Sequence, residues 1–331
     1  MTFTCPAGLL QSSRLRRRLA SPLIGLAHFF LTGVCPAMGL LVEPSQAQCG
    51  VPAAPDSAPP TAALQRLPQS QAVRGQKDIV WAGLGSPTAR YPHAALGSPV
   101  HAGSLHAMVA TASGGLQELV WQLPAQRVFE DRLPRLVDLD GDGRDEIIVV
   151  DADVLLGAAL VVFGLRAASP VADSSGSAAR RALVEIARSP HVGSAFRWLN
   201  PVGAADFDGD GHLDIASVTT PHIGGVLKLY HLRPPRLEPY AQAMDVSMHR
   251  FGEVEQQLAV IVQQPGARPT IIAPGMQYRS LQALRWNAPG QWPALAEPRP
   301  LPARVKRMTP ITGVGCLLLA DASWWRVTLL P

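Results

Sequence analysis

Two nine-residue segments of this 331-residue chain carry acidic side chains at the same spacing. Positions 1, 3, 5 and 9 are Asp138, Asp140, Asp142 and Glu146 in the first segment, and Asp206, Asp208, Asp210 and Asp214 in the second. Position 7 is Arg144 in one and His212 in the other, where the ligand would be a backbone carbonyl. Oxygen atoms gathered in this way form the hard cage that Ca²⁺ accepts, whereas Zn²⁺ prefers Cys and His side chains. The spacing therefore predicts a Ca²⁺ ion in each loop.

The simpler alternative is an acidic hairpin that binds no ion. Like charges in a tight turn repel one another, and a cation relieves that repulsion. Gly143 and Gly211 stand at position 6, where glycine lets the chain turn sharply. Because the spacing, the glycine and the apolar flanks all occur twice, metal binding is favoured over a bare hairpin.

Neither loop is predicted to be an EF-hand. That motif needs a Glu at position 12 and a helix on each side. Position 12 is Val149 in the first loop and Ser217 in the second. Residues 146–150 are rich in β-branched side chains, and residues 160–165 are also apolar, so the flanks favour strands.

Residues 134–232 resemble the FG-GAP and VCBS repeats found in integrin α-type β-propellers and in many bacterial surface and periplasmic proteins. The resemblance lies in the Asp-rich turn, although Glu146 replaces the usual final Asp and keeps its carboxylate. It implies that each turn links the first and second strands of a propeller blade and binds Ca²⁺.

Short apolar segments separated by turns predict an all-β chain, a β-propeller of about five four-stranded blades. The clearest blade has predicted strands at 135–138, 146–150, 159–165 and 182–187, and the next at 202–206, 214–218, 225–232 and 237–241. Weaker repeats are predicted to begin near residues 92, 249 and 306. The last blade is one strand short, and residues 79–84 are predicted to complete it.

Residues 1–47 have the order of a secretory signal peptide. Arginines at 14, 16, 17 and 18 precede a mostly apolar run at 19–42 and the sequence Ser45-Gln46-Ala47, after which cleavage is predicted. The long apolar run leaves an uncleaved membrane anchor as the alternative. Residues 48–75 are predicted to be a flexible Pro/Ala-rich leader and residues 76–331 the propeller. The predicted location is the periplasm, the cell surface or the medium.

Cleavage would leave two cysteines in the mature chain, Cys49 and Cys316. In an oxidising compartment we predict a disulfide between them. Two unpaired thiols are the alternative.

The loops that precede the first strand of each predicted blade would lie together on the face opposite the Asp loops, called here the start face. Residues predicted on it are His93, Glu130, Asp131, Arg197, Trp198, Asn200, His222, His249 and Arg250. A polar mouth with aromatic side chains is typical of a ligand site. Rim and packing roles are the alternative, and a transition-metal site would require three of the histidines to converge.

These features predict an exported Ca²⁺-binding propeller that acts as a non-enzymatic binding module for a protein or glycan. The alternatives are a periplasmic enzyme using Glu130, Asp131 or His222 as acid or base, and a scaffold for assembly. Hydrolase, dinucleotide-binding and P-loop motifs are absent from the sequence. The net charge of +4 is raised by the N-terminal arginines, and no nucleic-acid partner is expected. Membrane contact is expected only through an uncleaved N-terminal segment.

Overall fold

The computed structural model describes residues 39–45, 67, 70–111, 113–167, 181–287, 297–311 and 314–330, all within one compact unit. Every regular element in these ranges is a β-strand, which confirms the all-β prediction. None of the ranges forms a helix long and apolar enough to cross a bilayer. Most of the predicted signal peptide and leader lies outside them.

The first described strand is β1 (Leu40–Pro44), and the next four strands form an antiparallel group in chain order. This first group contains β2 (Val73–Arg74), β3 (Ile79–Thr88), β4 (His101–Ala110) and β5 (Leu116–Gln122).

Two similar groups follow, and each contains one Asp loop between its first two strands. After β6 (Arg127–Phe129), the second group contains β7 (Arg135–Val137), β8 (Glu146–Asp153), β9 (Gly157–Ala167) and β10 (Arg181–Arg188). The third contains β11 (Leu199–Ala205), β12 (Asp214–Thr219), β13 (Val226–Arg233) and β14 (Arg236–Ala243). Strand β6 and one parallel pairing between β10 and β14 join the three groups into a thirteen-stranded sheet.

The last two groups are separate four-stranded sheets. One contains β15 (Val260–Val262), β16 (Thr270–Pro274), β17 (Ser280–Arg285) and β18 (Arg299–Pro300). The other contains β19 (Val305–Ile311), β20 (Val314–Leu319), β21 (Trp324–Leu329) and, at its edge, β1. The described residues thus form five antiparallel groups of four strands.

The strand that completes the last group is β1, so the prediction that residues 79–84 would do so was wrong. Leu40 pairs with Leu329 at one end of this antiparallel ladder, and Pro44 pairs with Trp325 at the other. Residues 79–84 instead lie in β3, between β2 and β4. Burial explains why β1 occupies this edge, because Leu40 is 1% exposed and packs in the core with Leu329.

Two predicted domain boundaries conflict with this arrangement. Cleavage after Ala47 would remove β1, although cleavage itself stays a prediction. At the other boundary, Leu67 and β2 belong to the folded unit, not to a flexible leader, since Leu67 is 2% exposed in the core. The group predicted to begin near residue 92 therefore begins at Val73, and His93 lies in the connection between β3 and β4.

Strands β8 and β9 are buried on both faces. Ile147 and Val149 pack in one apolar cluster with strands of the first group, whereas Ile148 and Val150 pack in another with strands of the third. Successive side chains of a strand point to opposite faces, so an uninterrupted apolar run is required between two neighbours. This burial holds the β7–β8 turn, which is the first Asp loop.

Replacing Leu40 tests whether β1 belongs to the folded protein. We expect Leu40→Ala to lower the free energy of unfolding by about 2–5 kcal/mol, because it leaves a cavity in the core. Leu41, on the other side of β1, is 36% exposed, so Leu41→Ala should cost less than about 1 kcal/mol. Denaturant unfolding measures both values. Equal stability of both variants and the parent would show that the mature protein folds without β1.

Candidate metal loops and start-face cluster

The first Asp loop is closed by its own acidic side chains. Each carboxylate accepts a backbone N–H of the loop, in the pairs Gly143 to Asp138, Asp142 to Asp140, Arg144 to Asp142 and Leu139 to Glu146, at 2.9 to 3.2 Å. Gly141 and Gly143 have φ of 75° and 84°, the left-handed region that glycine adopts without strain. Leu139 is buried in the core and holds the loop against the sheets.

The second loop repeats this network. The pairs are Gly209 and Gly211 to Asp206, Asp210 to Asp208, His212 to Asp210 and Phe207 to Asp214, at 2.7 to 3.2 Å. Phe207, at the position of Leu139, is 1% exposed. The repeated spacing of the sequence therefore produces the same backbone turn twice.

Two buried oxygen atoms of the first loop have no hydrogen-bond partner among the described residues: Asp138 Oδ1 and Glu146 Oε1. One oxygen each of Asp138, Asp140 and Glu146 lies within 4.8 Å of the other two. A buried acceptor left unpaired costs about 1–3 kcal/mol. Burial, together with the charges of Asp140 and Asp142, raises the pKa of Glu146 to about 7. A divalent cation at this point would satisfy both oxygens and neutralise the charge.

The donor set of the first loop fits Ca²⁺, because all its atoms are hard oxygens. Three of the four predicted carboxylates converge, whereas Asp142 is not part of that group and caps the Arg144 amide. Arg144 and His212 are exposed, and the ligand role of their carbonyls stays a prediction.

The second loop has an additional neighbour, His231 of β13. Its Nε2 lies 3.0 Å from Asp208 Oδ2 and 3.7 Å from Asp214 Oδ1. The hydroxyl of Tyr240 donates to Asp214 Oδ2 at 2.7 Å. Burial raises the pKa of Asp214 to about 6, although the Tyr240 hydrogen bond and the charge of His231 act in the opposite direction.

Sequence reasoning missed both His231 and Tyr240. The signal for His231 is the strand register: Ile215 pairs with Tyr230, so the next residue of β13 lies beside Asp214. Tyr240 lies in a register shift of the β13–β14 ladder, which the residue pattern does not reveal.

Asp145 anchors the first loop to the first group of strands. Its Oδ2 accepts the amides of Gln76 at 3.1 Å and Lys77 at 2.8 Å, and Asp145 is 2% exposed. Lys77 Nζ lies 3.9 Å from Asp138 Oδ2. A cation in the loop would therefore be repelled by this ammonium, which is partly exposed and free to move away.

The start-face residues lie at the other end of the strands that carry the Asp loops. Trp198 precedes β11 and Asp206 follows it, and the seven residues between them are extended. At roughly 3.3 Å per residue the two ends are about 20 Å apart. The Asp loop and the start face of this group are thus separate surfaces.

His93, Glu130 and Trp198 form one connected unit. His93 Nδ1 lies 2.6 Å from Glu130 Oε1, and Trp198 Nε1 donates to the Glu130 carbonyl at 2.9 Å. Glu130 is fully buried, and its Oε2 has no partner among the described residues. Burial raises the pKa of Glu130 to about 7, against the lowering effect of His93.

His222 and His249 form a second unit with a fixed direction of hydrogen bonding. The Glu253 carbonyl accepts from His249 Nε2 at 2.9 Å, so in the neutral ring Nδ1 is the acceptor. His222 Nε2, 2.8 Å away, must then donate, and His222 Nδ1 keeps a free lone pair. Burial lowers the pKa of His249 to about 4 and that of His222 to about 3. Both rings are therefore neutral at pH 7.

Two exposed phenyl rings border these units, and sequence reasoning did not select them. Phe251 is 59% exposed and contacts the rings of His93 and His222, with centroids 5.7 and 5.3 Å apart. Phe196 is 45% exposed and lies 5.6 Å from His93. Trp198, 1% exposed, stacks against His222 from below.

Asp131 and Asn200 are structural members of the cluster. Both are fully buried; Asp131 accepts from Arg135, Val150 and Gln256, and Asn200 donates to the Gln256 carbonyl at 2.7 Å. The Arg132 amide is a fourth donor, and engagement by four donors makes Asp131 a poor candidate for the predicted acid or base.

The two predicted arginines lie at the margin of the cluster. Arg250 Nη2 is 3.7 Å from Glu253 Oε1, and Arg197 is exposed. The three histidines do not form a group of ligand atoms within 4.8 Å among the described residues, so the transition-metal alternative for His93, His222 and His249 has no geometric support.

Cys316 is 1% exposed and disulfide-bonded. Its predicted partner, Cys49, lies outside the described residues, so the pairing of these two cysteines stays a prediction.

Comparison with known proteins identifies no family. No family model matches the chain, and no curated protein matches it. Among solved structures, a glucose dehydrogenase aligns over 78% of this chain and 84% of its own, at 14% identity and a TM-score of 0.32. A likeness at this TM-score carries no argument about fold or activity.

The raised pKa values of Glu146 and Asp214 predict how pH affects stabilisation by Ca²⁺. Without an ion the folded protein holds these protons up to pH 6–7, whereas the unfolded chain releases them near pH 4–4.5, so both groups lower stability as pH rises through that window. Because Ca²⁺ binds the deprotonated forms, we expect its effect on the melting temperature to be larger at pH 7.5 than at pH 5.5. Thermal melts with Ca²⁺ and with chelator measure the difference.

The control is Glu146→Gln, which removes one of the two titrating groups. Its Ca²⁺ effect should be smaller and should depend less on pH. An equal Ca²⁺ effect at both pH values in the parent would contradict the assignment of these carboxylates as ligands.

Proposed function

We propose that this protein is an exported five-bladed β-propeller in which Ca²⁺ in two Asp loops stabilises the fold and the start face binds a partner. The resemblance of residues 134–232 to FG-GAP and VCBS repeats is the starting point for this proposal. Its location would be the periplasm or the cell surface, which rests on the N-terminal sequence alone.

Two features support the propeller arrangement. The described strands form five antiparallel groups of four, as blades require. Loops from successive groups also meet at one place, since His93, Glu130, Trp198, His222 and Phe251 come from different connections and are in contact. Loops of consecutive blades meet in this way around a central axis. Pairing of β1 with β21 would join the two chain ends in the last blade.

The observation that carries the metal proposal is a pair of buried oxygens, Asp138 Oδ1 and Glu146 Oε1, to which no described residue donates a hydrogen bond. Both atoms are buried, so bulk water does not replace the missing hydrogen bond, and a bound ion would. The proposed role of the ion is structural, because its ligands belong to a tight turn in which each carboxylate already accepts a backbone N–H of the same loop. Binding of Ca²⁺ would hold β7 to β8 and β11 to β12 at one end of each strand pair.

The start face is proposed to bind a glycan. Neutral imidazoles with a free nitrogen accept sugar hydroxyls, and the exposed rings of Phe196 and Phe251 offer flat apolar surfaces beside them. A protein partner is the other outcome. The enzymatic alternative has one supporting observation, the buried Glu130–His93 pair, whose geometry resembles that of a base and its orienting group.

Calorimetric titration of the metal-free protein with Ca²⁺ tests the structural role. We expect two bound ions, and a stabilisation of about 2.7 kcal/mol for each site when free Ca²⁺ is one hundred times its Kd. Asp140→Asn and Asp208→Asn should each remove one site and lower the melting temperature in Ca²⁺, while leaving the chelated protein nearly unchanged. Glu238→Gln, which removes an exposed carboxylate on β14, is the matched control. Equal melting of the Asp variants and the parent in saturating Ca²⁺ would rule the role out.

Binding to an array of immobilised glycans tests the start face. Phe251→Ala should abolish any binding detected and leave the melting temperature unchanged, because this ring is 59% exposed. Val120→Ala, on the exposed side of β5, is the control and should do neither. Trp198→Ala should instead lower the free energy of unfolding by about 3–5 kcal/mol, since its ring is buried. Retention of glycan binding in Phe251→Ala would remove the start face from consideration.

A further inference from the structure

The two Asp loops have the same backbone but different surroundings on the next strand. In the third group, Ile215 follows Asp214 and pairs with Tyr230, which places His231 beside the loop. In the second group, Ile147 follows Glu146 and pairs with Phe163, which places Gly164 at the corresponding position. Gly164 faces Glu146, since a Cβ built on it would lie 3.5 Å from Glu146 Oε1. Because glycine has no side chain, this position contributes no ligand to the first loop.

The fourth strands of the two groups, β10 and β14, also present different side chains near the loops. The ladder between the third and fourth strands of each group contains a register shift. The shift leaves one residue of the fourth strand without a paired residue on the third, Tyr240 in the third group and Ile186 in the second. Tyr240 stacks on His231 with centroids 4.0 Å apart and donates its hydroxyl to Asp214. Ile186 instead covers Gly164 with an apolar side chain. The second loop therefore has a nitrogen ligand held in a fixed orientation, and the first loop has none.

We infer that the second loop is a mixed nitrogen and oxygen site for a borderline transition-metal ion such as Zn²⁺, formed by Asp208, Asp214 and His231. One ligand atom from each of these residues lies within 4.8 Å of the other two. An imidazole and two carboxylates suit Zn²⁺, which is bound more tightly by nitrogen than Ca²⁺ is. A tightly bound metal would take the Nε2 lone pair, with the ring proton on Nδ1.

Space for the ion and its water is present beside these ligands. A cavity of about 50 Å³ is lined by two of the three proposed ligands, Asp214 and His231, and, from the first loop, by Leu139 and Asp140. Its lining is partly polar, and its volume is larger than one water needs. This inference assigns an identity to one of the two sites of the proposed function, and it does not require that Ca²⁺ binds there.

The test is calorimetric titration of the untagged, metal-free protein with Zn²⁺. We expect one tight site, weakened at least tenfold by His231→Gln, whose amide still donates to Asp208. His106→Gln is the matched control, because His106 also lies 2.9 Å from a single carboxylate, Glu118, but has no second one. Its Zn²⁺ affinity should stay within twofold of the parent. Unchanged Zn²⁺ affinity in His231→Gln, or no tight site in the parent, would overturn the inference.

Competition separates this inference from the Ca²⁺ proposal. With Zn²⁺ saturating, Ca²⁺ stoichiometry should fall from two to one, and Asp138→Asn, at a residue outside the cavity, should then abolish the remaining Ca²⁺ site without affecting Zn²⁺. Zn²⁺ binding that depends on His231 in a protein that binds no Ca²⁺ would support this inference and refute the other. Two Ca²⁺ sites that persist in saturating Zn²⁺ would do the reverse.

A measurement without substitution covers the case in which His231→Gln does not fold. The ring resonances of His231 in a ¹⁵N spectrum of the parent should shift when one equivalent of Zn²⁺ is added. Shifts confined to other histidines would exclude His231 as a ligand.

Discussion

Both oxygens of the Glu146 carboxylate require hydrogen-bond donors, and the described residues supply a donor to only one of them. One of its oxygens accepts the Leu139 amide and so closes the turn between β7 and β8. The other is buried beside it and has no hydrogen-bond partner in the part of the chain that the structure describes. Closing the turn with a long acidic side chain necessarily carries a second acceptor into the interior, where an unpaired acceptor and a negative charge are both unfavourable. Protonation of Glu146 or a bound cation would remove this cost.

This constraint extends to the neighbouring strands because the loop connects them. Leu139 lies between the loop carboxylates and the core, and Asp145 holds the amides of the first group of strands. Strands β8 and β9 are buried on both faces, so the loop has little freedom to relax by moving outward. In the second loop the corresponding carboxylate, Asp214, has protein neighbours at both oxygens. The Tyr240 hydroxyl donates to Oδ2, and the His231 imidazole lies 3.7 Å from Oδ1. Two turns with the same backbone thus have different surroundings because of two residues, His231 on β13 and Tyr240 on β14.

Much of the fold near the Asp loops could be predicted because local signals agree there. The alternation of strands and the turn residues place β7 to β14 within a few residues of their observed positions. Strand β1 could not be predicted, because it begins inside an apolar run typical of signal peptides and pairs with a strand near the other end of the chain. His93 contacts Glu130, another residue predicted on the start face, but it lies in the connection between β3 and β4 and not where a repeat begins. Register decides the position of His231, and a single residue pattern does not determine register.

The central claim is that an ion completes the first loop, and a crystal structure of the Ca²⁺-loaded protein with anomalous diffraction data tests it most directly. The account predicts an anomalous peak within about 2.3–2.6 Å of Asp138 Oδ1 and Glu146 Oε1. It also predicts that the Leu139 amide still donates to the other Glu146 oxygen. A loop with no anomalous peak, in which water or a protein donor satisfies both oxygens, would contradict it.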